Sequence, residues 1–190
     1  MTTPDARRGS RPEGALDARL DDRLDDWLDD WLADPSPRTA EPLHAAVRDA
    51  GTADDQDRRR DAADRSRRGD HAGALAVLET LLPGALLSPS VHARQAAALR
   101  HLGREHEAAR QERIARASLA AIRASGDGTA ERPWSVLRVA DEYDLLRALG
   151  RRPVNQSLVG REGRALDRLV TEDGGEAWFA VAGLGAPTRG

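Results

Sequence analysis

Residues able to do chemistry are few in this chain and lie far apart. Asp127 stands between two glycines in "SGDGTAE", residues 125–131, Glu142 and Asp144 flank Tyr143, and Asp167 interrupts the apolar run "RALDRLVT". Two carboxyls in contact can share a proton and act as acid and base, so Glu142, Asp144 and Asp167 are candidates if folding gathers them. As a metal loop, 125–131 is short of ligands. A calcium loop needs several carboxylates at alternating positions and a closing glutamate, and only Asp127 and Glu131 are on offer. A phosphate cradle would need a helix N-terminus, whereas an extended segment follows. The loop reads as a helix C-cap with Gly126 at positive φ, then a joint into the next elements.

The other reactive types are no richer. His44, His71, His92, His101 and His106 include no pair at i, i+4, the spacing that sets two imidazoles on one helical face, so they read as surface or turn residues. No Gly-x-Ser-x-Gly occurs, and Ser157 falls inside an apparent strand. Cysteine is absent, which removes disulfides, thiolate metal sites and a cysteine nucleophile. There is no glycine-rich nucleotide fingerprint. No catalytic residue, cofactor or metal can be assigned. Arg58–Arg60 and Arg65–Arg68 could meet phosphates, but Asp57, Asp61, Asp64 and Asp70 interleave with them, and no aromatic is there to stack on bases. With a net charge of −3, no nucleic-acid partner is expected. No apolar run reaches 18 residues, and the N-terminus lacks the apolar core of a signal peptide. A soluble, cytoplasmic protein with no membrane partner is expected.

The elements that must position these groups fall into two kinds. Residues 1–14 read as a disordered tail. Leucines at 16, 20, 24, 28 and 32 then form a broad apolar helical face with Trp27 and Trp31, opposite a row of aspartates, and Asp34-Pro35 ends the helix. Trp27, Leu28 and Trp31 are the candidate interaction residues, able to dock on the chain's own helices, on a partner or on a second copy. A short helix follows over about 41–50, closed by Gly51. "GDHAGA" and "GREHEA" place Gly69 and Gly103, and Ala74 and Ala108, 34 residues apart. This is the tetratricopeptide period, and Gly-x-x-x-x-Ala is its tight inter-helix turn. Helices are expected over 71–82, 90–102 and 105–124, with Ser88 as an N-cap, and a charged helix over 54–68. After Ser125 the period changes: "WSVLRV", "VNQSLV", "RALDRLVT" and "AWFAV" read as strands, and "DEYDLLRALG" as a helix capped by Asp141. The expected fold is α+β, a tetratricopeptide-like helical part followed by a small, mainly antiparallel sheet with one helix. The divisions are 1–14, 15–52, 53–125 and 126–190.

The order and spacing of Ser125–Gly128, Asp141–Tyr143, Gln156–Leu158, Gly163, Asp167 and Phe179 resemble the bacterial family known as domain of unknown function 4919. The likeness is strongest over 120–182. It implies a fold and a boundary but no activity. Where that family often carries Tyr-Phe-Asp, this chain has Trp178-Phe179-Ala180. The sequence thus favours a non-enzymatic interaction module with a protein partner or self-association. The alternative is an enzyme or small-ligand binder with a site between the halves, near Asp127, Tyr143 and Asp167.

Overall fold

The computed structural model describes residues 13–51, 56–161 and 163–182. Its order is α1 (Glu13–Ala33), α2 (Pro37–Ala50), α3 (Gln56–Arg67), α4 (His71–Glu79), α5 (Pro89–His101), α6 (Glu105–Ala124), β1 (Trp134–Val136), α7 (Val139–Ala148), β2 (Pro153–Arg161), β3 (Arg164–Thr171) and β4 (Glu176–Val181). The chain is α+β, and every described strand follows Ser125. The tail expected over 1–14 lies almost wholly outside the described residues, and α1 already runs from Glu13.

The 34-residue spacing marks equivalent turns. Gly69 and Gly103 both adopt positive φ, 82° and 73°, a region that residues with Cβ rarely enter. Their neighbours bond alike: Gly69 N–H to Ser66 O and Asp70 N–H to Arg65 O, Gly103 N–H to Arg100 O and Arg104 N–H to Leu99 O. Ala74 and Ala108, five residues after each glycine, are fully buried, which lets each following helix close on the one before it. The hairpins α3–α4 and α5–α6 result. The Asp-Arg-rich α3 buries Ala62 against Leu78, Leu81 and Val91.

One helix start and one cap bond differ from expectation. Helix α2 begins at Pro37, not near Glu41, because Ser36 and Thr39 cap it reciprocally and proline suits the first helical position. Ser88 does hold the N-cap position of α5, but its hydroxyl makes no capping bond. The Asp144 carboxylate accepts the Ser90 N–H instead, at 3.0 Å.

The sheet order is β1-β4-β3-β2, with β2, β3 and β4 an antiparallel meander and β1 parallel to β4. Strands β1 and β2 therefore run the same way at opposite edges, and α7 must carry the chain across one face to join them. That crossing buries Leu145 and Leu146 against Trp134, Val136, Leu169, Ala177 and Phe179, with Ile122 of α6 at the border. Helix α7 starts at Val139 with Arg138 as N-cap, so Asp141 is not the cap. It lies one turn in and is buried in an ion pair with Arg138 at 2.8 Å.

Helix α1 packs within the chain. Leu24, Leu28 and Trp31 are buried with Leu43, Val47 and Ile114, and Trp27 is half-buried at the rim with Arg23 over its ring. Arg110 of α6 pairs with Asp25 and Asp29 at 3.3 and 2.9 Å. Of the three candidate interaction residues, Leu28 and Trp31 thus face the chain's own core. Trp31, 2 % exposed, should lose about 3–5 kcal/mol of stability as Trp31→Ala, and Trp27→Ala markedly less. Paired urea melts check this, and equal losses would contradict the burial pattern.

Candidate functional site

Two features could serve function, and both depend on α7. The first is a buried acid pair. Glu142 points from the first turn of α7 onto the sheet, where Asp167 projects from β3 and Gln156 from the adjacent β2. Glu142 is 0 % exposed and Asp167 is buried. The Gln156 amide nitrogen donates to Asp167 Oδ2 at 3.1 Å and to Glu142 Oε2 at 3.3 Å. The Gln156 carbonyl oxygen accepts the Tyr143 hydroxyl at 2.6 Å. Burial first, then the Asp167 charge and hydrogen bond, push the Glu142 carboxyl from 4.5 up to about 9. A carboxyl raised that far stays protonated at neutral pH. Glu142 Oε1 has no other hydrogen-bond partner, a situation that a neutral carboxyl tolerates far better than a carboxylate. Burial, and then Glu142 and Asp167, also raise the Tyr143 hydroxyl above its ordinary value.

Folding therefore unites Glu142, Tyr143 and Asp167 but leaves Asp144 and Asp127 elsewhere. Asp144 is held by Ser90 N–H and by Arg147. Asp127 accepts from the Thr129 backbone and hydroxyl and pairs with Arg132, and the Thr129 bonds hold its carboxyl below the usual range. Gln156 is the member that sequence reasoning left without a role. Its one signal is a polar side chain two residues from Leu158, on the strand face that carries Asp167.

The second feature is a cleft of about 710 Å³ between the helical and sheet halves. Trp31, Pro35, Pro37 and Ala40 form one wall, Ala117, Ala120, Ala121 and Ala124 of α6 another, and Val136, Leu137 and Val181 the sheet side. Small residues on α6 leave the space open, and its size is that of a ligand pocket. Its polar rim is modest. Burial lowers the His44 pKa, Arg48 pairs with Glu41, and Asp141 is locked to Arg138. Glu142 and Asp167 are not among the residues that line it.

The loop after α6 differs from expectation in detail. Gly126 does not have positive φ; Gly128 does, at 78°, under the ring of Trp134. A Cβ on Gly126 would come within 2.5 Å of the Pro133 and Arg132 carbonyl oxygens, so close backbone approach is what requires glycine there. His92 is another correction: it is a buried strut, not a surface residue, bonded to Gln111 and to Leu86 O, both at 2.6 Å. Burial lowers its pKa. His71 and His101 stack 4.0 Å apart. Among the described residues no three His, Cys, Asp or Glu side chains gather as metal ligands.

No family model, curated protein or solved structure matches this chain.

Two outcomes are expected. A carboxyl whose folded pKa lies above its unfolded value stabilises fully below the unfolded pKa, and that contribution is lost as pH rises through the folded one. The unfolding free energy should therefore fall between about pH 5 and pH 9, and Glu142→Gln should remove on the order of a few kcal/mol of that decline in urea melts across the range. An unchanged decline in the variant would place the proton elsewhere. Gly126→Ala should destabilise by about 1–3 kcal/mol through overpacking against backbone; a neutral effect in a thermal melt would contradict the close approach.

Proposed function

We propose that the chain is a non-enzymatic binding module whose recognition surface is the apolar cleft between the helical and sheet halves. The supporting observation is the cleft's lining: alanines of α6 opposite Trp31 and the prolines, with its acidic group, Asp141, already committed to Arg138. Such a surface suits an apolar segment of a protein partner, and it offers no pair of free groups for proton transfer. Acid–base chemistry is the second reading, favoured by the raised Glu142 carboxyl beside Tyr143. Both carboxyls are buried and neither lines the cleft, which weighs against it.

Membership of the family that residues 120–182 resemble belongs to the same proposal; it contributes a shared fold and no chemistry. Among the described residues no helix is long and apolar enough to cross a membrane, and a cytoplasmic setting is part of the reading. Nucleic acid is not, since Arg60, Arg65, Arg67 and Arg68 are paired with Asp57, Asp61, Asp64 and Asp70.

Ala121→Trp, which fills the cleft from α6, provides the test. The variant should keep the parent circular dichroism and melting curve and lose capture of partners from the native host. It should also lose the fluorescence enhancement of an apolar naphthalene-sulfonate dye. Undiminished capture and dye binding by a folded variant would refute the cleft as the recognition surface.

A further inference from the structure

The outer edge of β2 is unpartnered, and its chemistry fits a second copy of the same strand. In the order β1-β4-β3-β2 the strand bonds only to β3, so one row of its backbone donors and acceptors is free of sheet partners among the described residues. Open edges of this kind are templates for strand addition, and natural sheets guard them with proline, bulges and charge. Here Pro153 and the irregularity between Pro153 and Asn155 guard one end. Arg161 stands at the other, already paired with Glu131 at 2.6 Å. Residues 155–160, "NQSLVG", carry no charge at all.

We propose that two copies of the chain join edge to edge, antiparallel, through residues 155–161 of β2, with Leu158 on the two-fold axis. The placement follows from the strand itself. The regular stretch begins after the irregularity and ends at Arg161, and Leu158 is its midpoint. Centring there pairs the greatest length of regular strand. It sets Asn155 against Arg161, Gln156 against Gly160 and Ser157 against Val159 of the other copy, so no like charges are opposed. Leu158, 53 % exposed in the single chain, meets its own symmetry mate with Cβ atoms about 4.5–5.5 Å apart. The same face presents Tyr143, bonded to Gln156, and Val139 one turn earlier on α7, 36 % and 41 % exposed. Pairing would bring these exposed apolar residues to the rim of the junction. This surface is separate from the cleft, so either assignment can fail without the other.

Light scattering coupled to size exclusion should give twice the chain mass of 20.6 kDa. Leu158→Lys should return the single-chain mass with unchanged circular dichroism. Because the parent has no cysteine, Leu158→Cys should form a disulfide-linked dimer under mild oxidation, whereas Leu102→Cys, exposed on the helical half, should form no disulfide link and run at the single-chain mass in a denaturing, non-reducing gel. A single-chain mass for the parent at its highest soluble concentration overturns the proposal, even if the edge then captures some other strand. A dimer that survives in folded Leu158→Lys, or one that Leu158→Cys fails to cross-link, overturns it as well.

Discussion

The carboxylate of Asp144 reaches out of α7 to the Ser90 N–H in the first turn of α5, a donor left without an intrahelical partner. Helix starts carry several such donors and a partial positive charge, and the Ser88 hydroxyl, in the usual capping position, does not answer them. The cap thus comes from a residue 54 positions away. At the N-cap of the same helix, Arg138 donates to Gly84 O at 3.2 Å while holding Asp141. These bonds fix how α7 sits against the helical hairpins, and α7 in turn fixes the sheet, because it is the connection that spans from β1 to β2. The cleft and the acid pair both inherit their geometry from this one docking. Removing the Asp144 carboxyl would leave a helix end uncapped in a half-buried setting, so its effect should spread to both halves.

The two features divide labour by polarity. The cleft is walled by alanine, proline and tryptophan, and its charged groups Arg48 and Asp141 are already paired, which suits it to burying apolar surface from outside. The Glu142–Asp167 pair is buried, and Gln156 donates to one oxygen of each carboxyl. A half-satisfied polar cluster is costly in a low-dielectric interior. Keeping Glu142 protonated is the simplest way for the fold to tolerate it, and Gln156 then fixes the edge strand to α7 through a side-chain chain that ends at Tyr143.

Legibility in the sequence followed the range of the interactions. The two hairpin turns could be read because glycine at positive φ and an alanine five residues on are local requirements, repeated at one spacing. The four strands and α7 could be read from the change of period after Ser125. The start of α2 was hidden because Pro37 and Pro42 look like helix breakers, whereas the Ser36–Thr39 cap overrides that signal. Asp141 looked like a cap because it precedes an apolar helical run, yet Arg138 three residues earlier captured it. At the site, Glu142, Tyr143 and Asp167 could be named as candidates, but their meeting depends on a crossover over the sheet. Gln156 belongs to the Gln-Ser-Leu run of the family resemblance, but that run implies no role for it, and its importance is a matter of register between β2 and β3, which pairs it beside Leu169. Gly126 and Gly128 could not be told apart, because which of two neighbouring glycines takes the left-handed turn depends on where Trp134 lies.

The distribution of indoles gives the molecule a built-in optical asymmetry. Trp27 and Trp31 belong to α1, Trp134 and Trp178 to the sheet, and residues 32–133 contain no tryptophan, tyrosine or phenylalanine. Ultraviolet emission therefore reports on the two outer layers, and the hairpins between them are dark. A probe of amide absorption sees the opposite weighting, since helices dominate that middle region. Any separation in time between the two signals during refolding would resolve the order in which the layers consolidate, without a label on the chain.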